Sequence, residues 1–259
     1  MNKTHNTKNK LTEAFADKKA LVPYLMAGNP DLPTTAQLIL AAQAGGADII
    51  ALGVPFSDPV ADSPVMEAAG MRALAAGTKL DGIFAMLDGI SGQLRIPLVF
   101  MTYINPVFVY GYDRFCAQCA AVGVAGIIVP DLPYEEQGEM QQAAASHGVT
   151  VITAMVPSAP ERLALLARQA QGFVYLMPAA GALNTAAMAA TAVEIRRISA
   201  LPVLIALDAE TPEQAAAYAA LGDGVVMGGA AAHIIARHGA QAQEPLRDLT
   251  AGMKTAMNP

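Results

Sequence analysis

Asp208 closes the apolar run Val203-Leu-Ile-Ala-Leu-Asp208, just ahead of Thr211-Pro-Glu-Gln214, where a helix begins. A carboxylate at that junction faces a pocket rather than bulk water, and desolvation raises both its pKa and its basicity. The expected chemistry is proton abstraction by a carboxylate. The plainer reading of Asp208 is a helix-capping or loop-bonding residue two positions before Glu210. No histidine stands near an acid at triad spacing, and Ser57 reads as a loop-ordering hydroxyl, so serine nucleophile chemistry is not expected. Cys116-Ala-Gln-Cys119 lies inside a helical run with no second Cys/His pair, so helix packing is expected there rather than redox or zinc chemistry. The sequence shows no metal cluster, no cofactor motif and no lysine at a strand end, and no cofactor is expected.

The elements that must position these residues repeat one unit: short apolar run, turn, helical run, glycine. Strands are predicted at 20–26, 49–53, 98–102, 126–129, 150–154, 173–177, 203–207 and 224–227. They are continuously apolar rather than alternating, as expected of parallel strands buried on both faces. Thr211 as cap, Pro212 in the first turn and Gln214 form a capping-box start. Gly123, Gly148, Gly172 and Gly222 each stand just past a helical run, where a left-handed cap favours glycine. Eight such units in 259 residues predict an α/β fold, a single-domain (β/α)8 TIM barrel over residues 11–259, preceded by a flexible polar tail at 1–10. A doubly wound sheet is less consistent, because no GxGxxG follows the first strand.

Bulk composition narrows the function. Hydrophobic residues make up 54 % of the chain, enough for a large core, while a net charge of −6 argues against a nucleic-acid surface. Arg196-Arg197 and Lys18-Lys19 read as solvated faces. No apolar run is long enough for a membrane span, and the polar start does not read as a secretory signal, so a cytoplasmic location is expected.

The blocks Ala51-Leu-Gly-Val-Pro-Phe-Ser-Asp-Pro-Val-Ala-Asp-Ser-Pro64, Pro23-Tyr-Leu-Met-Ala-Gly-Asn-Pro30, Met101-Thr-Tyr-Ile-Asn-Pro106 and Val129-Pro-Asp-Leu-Pro133 resemble, in order and spacing, those of the tryptophan synthase α subunit. The resemblance implies a cofactor-independent lyase that splits indole-3-glycerol phosphate into indole and glyceraldehyde 3-phosphate. It also implies a Glu at the end of strand 2 for proton transfer, where this chain has Ala51. A loop acid that stabilises the protonating indole matches Asp62. Tyr24, Ile128 and Tyr175 fit the family's apolar pocket lining, and Ala154 and Leu207 stand where larger side chains are common. The loops Pro55–Asp58 and Asn105–Phe108 match the segments through which the family docks on its β subunit.

The resemblance further implies a phosphate cup built from glycine-rich loops after strands 6, 7 and 8. Here Leu183 and Asn184 replace Thr-Gly, Asp208 replaces a glycine, and Gly229, beside Gly228, replaces a serine. Two like charges ~4 Å apart at an effective dielectric of ~20 repel by about 4 kcal/mol, so Asp208 opposes a phosphate. Changes gathered on one face of an ordinary scaffold read as a pocket rebuilt for another ligand, by evolution or by design. The leading expectation is therefore loss of most native activity and proton abstraction by Asp208 from a flat, apolar, uncharged substrate. Elimination of a benzisoxazole (the Kemp reaction) is the simplest example, with Tyr175 stacking and Asn184 donating to an oxyanion. The alternatives are a residual lyase, in which Asp62, Asp208 or Glu67 covers for the missing Glu, and a non-catalytic partner of a β subunit.

Overall fold

The computed structural model describes residues 7–16, 18–179 and 184–258. A helix, α1 (Thr7–Glu13), precedes β1 (Ala20–Met26), α2 (Leu32–Ala44) and β2 (Ile50–Gly53). Helices α3 (Pro64–Ala75) and α4 (Leu80–Ile90) then lead to β3 (Leu98–Met101). After it come α5 (Ile104–Tyr110), α6 (Tyr112–Ala121), β4 (Val124–Ile128), α7 (Gly138–Ser146), β5 (Thr150–Met155) and α8 (Pro160–Gln169). The last third holds β6 (Val174–Leu176), α9 (Thr185–Ile198), β7 (Val203–Asp208), α10 (Pro212–Ala219), β8 (Gly224–Met227), α11 (Gly229–His238) and α12 (Gln243–Met257). The strands pair in parallel in sequence order, and β8 returns to β1, closing the predicted barrel.

Each strand is buried on both faces because two apolar layers meet on it. Inside the barrel lie Tyr24, Ala51, Val99, Ile128, Ile152, Tyr175, Leu204 and Val226. Between strands and helices lie Leu25, Leu52, Phe100, Ile127 and Val225, together with Cys116 and Cys119 of α6. Burial pushes both thiols upward, away from the reactive thiolate, which agrees with a packing role for the CxxC. Strand β4 begins two residues earlier than predicted, at Val124, with a register shift against Leu98 and Val99 of β3. Helix α1 starts at Thr7, within the span assigned from sequence to the polar tail, and residues 1–6 lie outside the described residues.

The local signals read from the sequence mostly hold. Thr211 accepts from the Gln214 amide, while the Gln214 side chain accepts from the Glu210 amide, fixing the turn that follows β7. Gly123, Gly148 and Gly172 have positive φ, as expected of left-handed caps. Gly222 does not. It is required by close approach instead, since a Cβ there would stand 2.5 Å from Ile205 and 2.6 Å from the Val203 carbonyl.

The end of the barrel opposite the mouth is locked by one buried acid. Asp48 accepts from the Leu21 amide at 2.8 Å and pairs with Lys18 at 2.7 Å and Lys254 at 2.5 Å, tying α12 to β1. Its carboxylate side chain is 3 % exposed, so removing it leaves the Leu21 amide without an acceptor and the mostly buried Lys254 without its counter-charge. Asp48→Ala is expected to lower unfolding free energy by about 3–5 kcal/mol, measurable by denaturant titration. A loss under about 1 kcal/mol would contradict this latch.

Candidate active site at the barrel mouth

The mouth is assembled where the strands end and the following loops begin, the usual place for chemistry in this architecture. Tyr24 of β1 is paired in register with Ala51 of β2, and Ala154 of β5 with Tyr175 of β6. Their side chains, with Ile128, share the apolar interior of the barrel. Gly53 allows this arrangement: a Cβ there would lie 2.8 Å from the Tyr24 ring. Ala51 is 2 % exposed and brings no polar atom to the pocket.

Asp62 enters from the loop between β2 and α3. The Tyr24 hydroxyl donates to its Oδ1 over a long 3.4 Å, and the Tyr103 hydroxyl, at the end of β3, accepts from the neighbouring Ala61 amide at 3.0 Å. Tyr103 therefore holds the loop that carries the acid. From sequence, Tyr103 has no role beyond its block Met101-Thr-Tyr-Ile-Asn-Pro106, because no spacing signal links a hydroxyl to an amide 42 residues away. Desolvation pushes Asp62 up to about 6, with the Glu67 charge adding to the rise and the tyrosine hydroxyls opposing it. Tyr103 is pushed up to about 12, and Tyr24 and Tyr175 also rise, chiefly through burial. All three tyrosines thus stay protonated near neutral pH, as donors beside a carboxylate that titrates close to neutrality.

Asp208 stands across the mouth, at the end of β7. Its Oδ1 accepts from the Gly228 amide at 2.7 Å and its Oδ2 from the Gly229 amide at 2.6 Å. These are the first free N–H groups of α11, where the helix dipole favours negative charge. The side chain is exposed at its outer edge, yet desolvation still pushes its carboxyl above the usual range, against the pull of the two amides. The capping reading of Asp208 thus has a geometry: both oxygens are engaged.

One expectation about the lining is corrected. Leu207 does not line the pocket. It packs with Met155, Leu176 and Met188 in the layer between strands and helices. The reason is period-two alternation, with Leu204 and Ala206 on the inner side and Leu207 on the outer. Asn184 caps α9, its Oδ1 accepting from the Ala187 amide at 2.9 Å, which fixes the side chain at the helix start and leaves only its Nδ2 group as a donor. The preference of asparagine for such caps was the available signal. Leu183 lies outside the described residues. His233 is exposed on α11.

A closed parallel eight-stranded barrel with a tyrosine-lined mouth defines the class as a (β/α)8 barrel. The family is then set by comparison. A family model described as tryptophan synthase alpha chain matches residues 11–258, so the chain belongs to the tryptophan synthase α-chain family. It is 37 % identical over 254 residues to the tryptophan synthase alpha chain of Lacticaseibacillus casei, covering 96 % of each chain. Against that of Geobacter sulfurreducens it is 41 % identical over 226 residues, covering 85 % of this chain and 86 % of the relative. Among solved structures it matches tryptophan synthase subunit alpha from Legionella pneumophila with a TM-score of 0.88 at 32 % identity, covering 97 % and 98 % of the two chains. A chain of the tryptophan synthase of M. tuberculosis matches with a TM-score of 0.85 at 33 % identity, over 95 % and 98 %.

Proposed function

We propose that this chain acts as the α-type component of a tryptophan-synthase-like pair, releasing indole slowly from an indole-glycerol substrate with Asp62 as the carboxylate that stabilises the protonating indole. The observation that carries the reading is the placement of Asp62, a carboxylate pushed up to about 6 at the rim of a tyrosine-lined apolar pocket. Ionised beside a flat aromatic, it stabilises the positive charge that develops as the indole ring takes a proton from water. The glycerol hydroxyl gives one up to water, and the carbon–carbon bond then breaks to release indole and the aldehyde. Tyr24 donates to it, and Tyr103 fixes its loop. The reaction is slow because Ala51 offers no second acid/base group.

The partner in this reading is a β subunit. Phe108 is 65 % and Val109 76 % exposed, an apolar ridge beside a groove of about 430 Å³ lined by Val54, Pro55, Phe56, Asn105 and Pro106. Asp131 orders that ridge by accepting the Ile104 amide at the start of α5. Exposed apolar surface of this kind marks an interaction site.

Indole release from indole-3-glycerol, followed across pH with a β subunit present, tests the reading. The ionised form of Asp62 is the active one, so the rate is expected to rise through about pH 6 and level off above it. A rate that is flat or falls across that range would rule out the assigned role.

Elimination from a flat uncharged substrate with Asp208 as base is a second reading, favoured by the upward shift of that carboxyl. It requires a lone pair beyond those given to the Gly228 and Gly229 amides. Turnover of a benzisoxazole by the wild type, abolished in Asp208→Asn, supports it; equal rates for the two forms remove it.

A further inference from the structure

The two carboxylate–amide bonds of Asp208 have a counterpart in residue 229. A Cβ added to Gly229 would stand 2.6 Å from Oδ2 and 3.5 Å from Cγ of Asp208, closer to the oxygen than real side chains approach. Residue 229 is therefore confined to glycine while Asp208 holds its place, and the two residues form one coupled unit. Gly228, by contrast, has ordinary clearance from that carboxylate, 3.7 Å to Oδ1. Among the described residues no lysine or arginine is paired with Asp208; its oxygens are met by two backbone amides, with His233 on the same helix adding a weaker favourable field.

We propose that Asp208 and Gly229 are a specificity-determining pair: the carboxylate is a built-in anion seated on the first amides of α11, and it selects ligands that carry no phosphate. The proposal deepens the indole-glycerol reading by naming its substrate class as the unphosphorylated, uncharged form. A dianion arriving at the Gly228 and Gly229 amides meets two donors already engaged and a negative charge within ~4 Å, a repulsion of about 4 kcal/mol at an effective dielectric of ~20. Backbone amides at a helix start otherwise receive phosphate readily. The discrimination thus comes from one side chain, and the glycine at 229 is its steric consequence.

The test measures inorganic phosphate binding by calorimetry to the wild-type chain, to Asp208→Gly and to the near-isosteric Asp208→Asn. Inorganic phosphate reads the amides directly, so this result is independent of whether the pocket accepts an indole. Asp208→Gly is expected to bind phosphate at least about 100-fold more tightly than wild type, with Asp208→Asn between them. Adding Gly229→Ser should tighten binding in the Asp208→Gly background, while in the wild type it should displace the carboxylate. Wild-type phosphate binding as tight as that of Asp208→Gly would overturn the proposal. So would failure of both Asp208 variants, folded by circular dichroism, to gain binding. The indole reading is judged separately by binding of indole-3-glycerol: absence of that binding, with the phosphate gain intact, refutes only the named substrate.

Discussion

Ala51→Glu is expected to raise indole release by about 100-fold or more. A positioned acid/base group contributes roughly 10²–10⁴-fold to a proton-transfer step, and position 51 is the one from which such a group is missing. The backbone places it well. Ala51 is in register with Tyr24, whose hydroxyl already reaches Asp62, so a glutamate there would bring a second carboxyl into the same tyrosine-lined space. The site is 2 % exposed, and a larger side chain must extend toward the mouth rather than into the packed interior. Thermal unfolding of the variant separates a crowded core from a working site. A folded Ala51→Glu chain with an unchanged rate would show that proton supply at this position does not limit the reaction.

The second large effect concerns Asp62. Asp62→Asn is expected to reduce indole release at pH 8 by about 100-fold, because the neutral amide cannot offset charge on a protonating ring. Stability should move the other way. The folded-state pKa of about 6 lies above the usual carboxylate value, so the ionised form is disfavoured by folding. The Asp62 contribution is thus lost as pH rises through about 6. Asp62→Asn should therefore be more stable than wild type at pH 8, by roughly 1–3 kcal/mol, and indistinguishable from it near pH 4. Opposite signs for activity and stability mark a group kept at a cost for its function.

The barrel was legible because its strands are continuously apolar and its helices carry strong start and stop residues; Thr211, Gly123 and Gly148 behave as their types require. Tyr24, Ala51, Ile128, Ala154 and Tyr175 were legible as one surface, and the structure brings them together. Three features were not. Leu207 was misplaced because its resemblance-based role overrode the simple alternation of β7, which turns it outward. Asp208 was weighed for its carboxylate oxygens, yet both are engaged at a helix start, and Asn184 is oriented by its oxygen at another, bonds whose partner amides are fixed only once the chain is folded. Tyr103 was missed as a loop anchor because its partner comes from another βα unit.

In the proposed reading the two acids at the mouth divide the work: Asp62, held by hydroxyls in a poorly solvated rim, offsets charge on the ring, while Asp208, held by amides, selects against phosphate. The most direct test is indole release from indole-3-glycerol and from indole-3-glycerol phosphate by the wild-type chain and Asp62→Asn, each with a β subunit. Slow release by the wild type, at least about 100-fold lower in Asp62→Asn, is the expected result. Release that is absent from the folded wild-type chain, or equal in the two forms, would contradict the assignment of Asp62 as the carboxylate that stabilises the protonating indole.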